Sequence, residues 1–196
     1  MKRTRNSLSH VSATRRDFLK ATSALAAAAA LSPLDWGCPA GGSEPAAAIR
    51  IRGHHLFDML EALGTGKSAH KTLGPVALKI RANPKTPIQV VIGVDDICAP
   101  CEWWDHAKGI CTRTLTTHPE DNEAAMTSDK NAIRMLGLKP GDVRNADDLY
   151  RLIRTKVTKR VFAEEVCVAC RLVNRCKETY EPRIEAVLQA LSEPHS

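Results

Sequence analysis

The spacing of apolar residues changes several times along the chain, and each change marks an element. Ile49–Arg52 alternates apolar and basic positions, which predicts a short strand. Leu56, Met59, Leu60 and Leu63 recur at helical spacing, so 54–63 predicts a helix stopped by Gly64 and Gly66. Leu73, Val76, Ala77 and Ile80 form one face of a second helix over 73–80, and Asn83-Pro84 breaks the chain after it. The β-branched run 87–94 is the best strand in the sequence. Helical patterns follow at 120–138, 145–157 and 183–191, the first closed by Lys139-Pro140-Gly141. The fold class this predicts is α+β: a helix-rich small domain with a short sheet and two cysteine-rich loops, with no repeat of solenoid length.

The N-terminus follows another pattern. Thr14-Arg15-Arg16-Asp17-Phe18-Leu19-Lys20 precedes an alanine-rich apolar stretch that ends at Ser32-Pro33. This resembles a twin-arginine export signal and is set apart from the fold. Ala46-Ala47-Ala48 offers small residues for cleavage, so the expected division is a signal and linker over 1–48 and a cysteine-rich domain over 49–196. Cys38 raises lipid attachment as an alternative, but Asp35-Trp36 does not suit the residues before a lipidated cysteine.

The 196 residues are 43% hydrophobic and 26% charged, enough to bury a core. Aromatics at 4% are too few for a stacking platform for nucleic acid. The leader holds six Lys/Arg and three Asp/Glu, so its removal lowers the net charge from +6 to +3. That takes away most of the basic excess that suggests a nucleic-acid partner. A stable membrane span in the mature chain is not expected.

Six of the seven cysteines fall into two sets, Cys98-x2-Cys101-x9-Cys111 and Cys167-x2-Cys170-x5-Cys176. A Cys-x-x-Cys turn can aim two sulfurs at one metal or one cluster. Three readings compete: disulfides stapling an exported domain, structural zinc, and an iron–sulfur cluster. The 65 residues between Cys101 and Cys167 permit a zinc site but do not favour it. A twin-arginine route carries folded cargo, often with its cofactor already loaded, which favours the cluster. The expectation is that both sets converge on one iron–sulfur centre, 4Fe–4S ahead of 2Fe–2S, with zinc as the alternative.

In chain order come Arg52-Gly53-His54-His55-Leu56, Asp95-Asp96-Ile97-Cys98 with Cys101, Gly109-Ile110-Cys111, and the second cysteine set. Together these motifs resemble the DUF1284 family, small bacterial and archaeal proteins suspected of binding iron–sulfur clusters, over most of residues 50–180. The resemblance implies a cofactor more than a reaction. The chain departs from the family pattern in three ways. Asp58 stands where the family often has a cysteine, Arg171-Leu172 follows the second Cys-x-x-Cys where a Trp is common, and most members lack a signal peptide.

His54, His55, Asp58 and Trp103 are candidate neighbours of the cluster, and His54 and Asp58 share a helix face at i, i+4. Asp95-Asp96 is expected to shape the turn after the strand, and Trp103-Trp104 to cover the cluster or core. Gly64-Thr65-Gly66-Lys67-Ser68 ends like a phosphate-binding loop, but Glu61 replaces its first glycine and a helix precedes it. No nucleophile elbow, HExxH or dinucleotide fingerprint is present. The functions these features suggest are exported electron transfer or redox sensing, a non-redox domain with structural zinc or disulfides, or a cluster-dependent enzyme using the His54-His55 region. The partners expected are the twin-arginine translocase during export and a redox protein, and the location periplasmic or otherwise extracytoplasmic.

Replacing Arg15 and Arg16 together by Lys should leave the precursor in the cytoplasm. Fractionation showing normal export of that double variant would contradict the signal assignment.

Overall fold

Strand β1 (Ile49–Arg52) lies parallel to β2 (Pro87–Val91), with Ile51 opposite Val90 and Arg52 opposite Val91. Strand β5 (Val143–Asn145) pairs antiparallel on the other side of β2. The central strand buries Ile88, Val90 and Val91, as a strand covered on both faces should. A separate two-stranded hairpin joins β3 (Trp104–Asp105) to β4 (Ile110–Cys111).

The computed structural model describes residues 47–68, 70–113 and 117–192, all within the compact unit Ser43–Ser196. Arg15, Arg16 and Cys38, and with them the export signal, lie outside the described residues.

The α+β expectation holds, with short sheets and helices making up about half of the described chain. The helix predicted over 54–63 is two, α1 (His55–Asp58) and α2 (Leu60–Thr65), meeting at Met59. Next come α3 (Leu73–Ala82), α4 (Asp121–Leu136) and α5 (Ala146–Lys156). A short α6 (Lys159–Val161) runs into a π-helical turn, Phe162–Val166, which delivers Cys167. Helices α7 (Val173–Lys177) and α8 (Tyr180–Ser192) complete the chain. The last begins three residues before its predicted start, because Pro182 sits in its first turn, where no N–H is required of it. The strand predicted to Val94 stops at Val91, and Gly93 then turns the chain with φ +87°. No helix among the described residues is long and apolar enough to cross a membrane.

One apolar core links Leu60 and Leu63 of α2, Leu149 and Ile153 of α5, and Ile184 and Val187 of α8. Phe162 stacks on Tyr180 with centroids 4.6 Å apart, and the Tyr180 hydroxyl donates to the Val157 carbonyl at 2.7 Å. Cys167 belongs to this core. Each such large side chain contributes about 1.5–3 kcal/mol when fully buried. Apolar packing alone therefore joins these segments.

Gly53 allows β1 to approach α4. A Cβ at Gly53 would lie 2.4 Å from the Asp129 carbonyl oxygen and 2.8 Å from its Cα. Backbone atoms cannot rotate aside, so Gly53→Ala should cost about 1–3 kcal/mol by overpacking. Urea unfolding should show a lower midpoint with an unchanged slope; an unaltered midpoint would mean that β1 and α4 do not meet this closely.

Candidate metal centres

Arg52 falls on the same face of β1 as the exposed Arg50, yet it is buried, and a buried guanidinium needs a partner. That partner is Asp129 in the middle of α4. Arg52 donates to Asp129 Oδ2 from Nε at 2.9 Å and lies at 2.7 Å through Nη2. Their side chains are 5% and 0% exposed. The other oxygen, Oδ1, accepts from the His54 backbone N–H at 3.0 Å and from His54 Nδ1 at 2.8 Å. Gly93 N–H also approaches Oδ2 at 3.3 Å. Burial works against the Asp129 charge, but the hydrogen bonds and charges of His54 and Arg52 hold its carboxyl below the usual range.

Asp95 does the same for the next residue. Its Oδ2 accepts from Arg52 N–H at 2.9 Å and His55 Nδ1 at 2.7 Å. Its Oδ1 accepts from Ile97 N–H at 3.1 Å and Cys98 N–H at 2.8 Å. Burial opposes this charge too, yet His55 and the backbone donors keep Asp95 ionised far below the ordinary carboxylate range. Asp95 thus shapes the turn, as the sequence suggested, and also holds a histidine. The site lies where both parallel strands end: β1 leads into Arg52–His55 and β2 into Asp95 and Cys98.

The two Cys-x-x-Cys segments are built alike. Cys101 N–H donates to the Cys98 carbonyl at 2.9 Å, and Cys170 N–H to the Cys167 carbonyl at 2.9 Å. A second turn follows each, through Trp104 onto Cys101 at 3.0 Å and Val173 onto Cys170 at 3.1 Å. The third cysteine of each set comes from a different device. Cys111 sits on β4, where the Asn122 side chain imitates a strand partner: Asn122 Oδ1 accepts from Cys111 N–H and Nδ2 donates to its carbonyl, both at 2.9 Å. Cys176 is carried by α7. All six thiols are free, without disulfides.

The two sets line different cavities. Cys98, Cys101 and Cys111 face a cavity of about 180 Å³ together with Arg52, His55 and Trp104. Cys167, Cys170 and Cys176 face one of about 330 Å³ with Asp58, Arg171 and Arg183. His54, Asp121 and Ala125 line both. Arg171 reaches across to Asp121, with Nε 3.1 Å from each carboxylate oxygen. Burial and the Asp95 charge push the Cys98 thiol up to about 12, despite Arg52 Nη1 at 3.9 Å from its sulfur. Burial, neighbouring thiols and Asp58 raise Cys167 as well. Such thiols are poor nucleophiles by themselves and lose their protons to a bound cation.

Two of the candidate neighbours, Asp58 and Trp103, keep some distance from the groups beside them, and two further residues join the site. His54 Nδ1 bonds Asp129; Asp58 Oδ2 lies 3.8 Å from Nε2, beyond a hydrogen bond. Trp103 is 44% exposed and lines outer depressions beside Cys101, while Trp104 lines the first cavity. His70, absent from the sequence reading, faces that cavity too. Its Nδ1 accepts from the Thr72 and Leu73 N–H groups at 3.4 and 3.3 Å. Asp129 was also missed, although it falls on the α4 stripe of Ala132, Ile133 and Leu136, a polar residue where the pattern is apolar.

Asp129→Asn removes one charge of a buried pair and should destabilise the protein by about 3–5 kcal/mol. Because Asp129 and Asp95 titrate lower in the folded than in the unfolded state, their contribution is complete above the unfolded carboxylate pKa of about 4 and fades as pH falls below it. Chemical denaturation between neutral and acidic pH should show a shallower loss for Asp129→Asn than for the wild type. Parallel curves would contradict the buried-pair assignment.

No curated protein and no solved structure gives a significant match to the chain. One family profile matches residues 70–176, a stretch holding all six of these cysteines with His70, Asp95 and Asp129. The protein belongs to the family described as protein of unknown function (DUF1284).

Proposed function

We propose that the protein binds iron–sulfur clusters in its two thiol-lined cavities and serves, after export, in electron transfer or redox sensing. The carrying observation is the pair of matched Cys-x-x-Cys turns, each with a third cysteine, at two adjoining cavities. A cluster supplies one-electron chemistry, and cysteine thiolates are its usual ligands.

Cavity size supports a polyatomic group. One water needs only about 15 Å³ of such space, and these cavities offer about 180 and 330 Å³. Arg52 and Arg113 line the first cavity and Arg171 and Arg183 the second; Arg52, Arg171 and Arg183 are paired with Asp129, Asp121 and Glu61, and Arg113 would offset part of the negative charge that thiolates and sulfide bring. Cys98, Cys101 and Cys111 would hold one group, and Cys167, Cys170 and Cys176 the other. The shared wall at His54 and Ala125 keeps the two groups next to each other, an arrangement suited to passing an electron between them. Export rests on the 14–20 motif, and a route for folded cargo suits a protein loaded before it crosses.

Anaerobically purified protein should be brown and carry iron and acid-labile sulfide. Cys98→Ser and Cys167→Ser should each remove about half of both, and the double variant nearly all. Colourless protein with zinc, or with three disulfides and no sulfide, would overturn the reading. Loss of all iron in either single variant would instead mean one shared centre.

A further inference from the structure

The ligand atoms of His54, His55 and Asp58 lie within 4.8 Å of one another, at the meeting point of the cavities. We infer that these three side chains form a separate site for a single divalent transition-metal ion.

The chain places them together for local reasons. His54 precedes α1, His55 opens it, and Asp58 follows at i+4 and i+3, one helical turn on. The two imidazole centroids are 4.5 Å apart with planes at 63°, so the rings sit edge to face instead of stacking. Each ring is then fixed by its own buried carboxylate. The Asp129 and Asp95 carboxylates lie 2.8 and 2.7 Å from Nδ1 of His54 and His55, so each ring directs its other nitrogen, Nε2, away from its carboxylate and toward a metal position. A carboxylate behind each imidazole is the usual support of a metal-binding histidine. Here both rings have one, and both carboxylates are fully buried.

Donors to one ion at 2.0–2.2 Å sit roughly 3–3.5 Å apart. His54 Nε2 and Asp58 Oδ2 are already at 3.8 Å. The Asp58 side chain is 57% exposed and can close the remainder by a small rotation. A second trio, His55, Asp95 and Cys98, is equally close. It is not the site, because Asp95 already accepts four N–H donors and holds His55 through Nδ1. Two imidazoles and one carboxylate, with no thiolate, suit Fe²⁺ or Mn²⁺ and leave coordination positions open. Those positions face the cavity lined by His54 and Asp58, where a small substrate oxygen or nitrogen atom would bind beside the cysteines.

Mn²⁺ is the direct probe, since it avoids thiolates and prefers nitrogen and oxygen donors. Titrated into anaerobically purified full-length protein and followed by EPR, it should bind at one ion per chain, with nitrogen couplings from imidazole. Asp58→Ala changes an exposed residue and should preserve the melting temperature while weakening Mn²⁺ by at least about tenfold. His55→Gln should remove the nitrogen coupling of that ring. Cys98→Ser and Cys167→Ser should leave Mn²⁺ binding intact, which separates this site from the cluster reading. No binding at millimolar Mn²⁺, unchanged affinity in Asp58→Ala, or loss in the cysteine variants would overturn the assignment.

Discussion

The buried carboxylate of Asp129 is the constraint on which the rest of the site depends. It lies on α4 yet accepts the Arg52 guanidinium, the His54 N–H and the His54 ring, all from the end of β1. A buried ion pair contributes little net stability compared with apolar packing, because desolvating both charges is costly. Its value here is registration. Four donors from the end of β1 and the Gly93 N–H beyond β2 converge on this carboxylate, and Gly53 lacks the side chain that would keep β1 from α4.

The histidines and the first cysteine set follow from that placement. With Arg52 and His54 tied to Asp129, His55 is carried to Asp95, and Asp95 in turn receives the Cys98 N–H. The first cysteine set is therefore anchored to the same point as the histidines. The second set arrives by another path, through the π-helical turn whose Cys167 N–H donates to the Phe162 carbonyl at 2.9 Å. Arg171 then bridges it to Asp121 at the start of α4. Helix α4 thus contacts both sets, through Asn122 at Cys111 and Asp121 at Arg171.

Much of this was legible in the sequence. Helical periodicity located α3, α4 and α5, because each presents one apolar stripe to the core. The cysteine spacing located both turns, since Cys-x-x-Cys is a local geometry. The Arg52–His55 motif was visible as a motif, but its partners were not, because Asp129 is 75 residues from His54. Strand β5 was missed for a different reason: Val143, Arg144 and Asn145 are too few and too polar to show alternation, and only pairing with β2 defines them. The division of the cysteines between two cavities also depends on tertiary placement, which spacing does not encode. Neither does spacing reveal that Arg52, an apparently outward basic residue, is buried.

The central claim is that two thiol sets on either side of His54 hold two separate iron centres on a scaffold fixed by Asp129. The most direct measurement is a crystal structure of anaerobically purified protein, with anomalous diffraction at the iron edge. The account predicts two multi-iron peaks, one beside Cys98, Cys101 and Cys111 and one beside Cys167, Cys170 and Cys176. A single iron peak bridging the two sets, or disulfides with no iron at either, would contradict it.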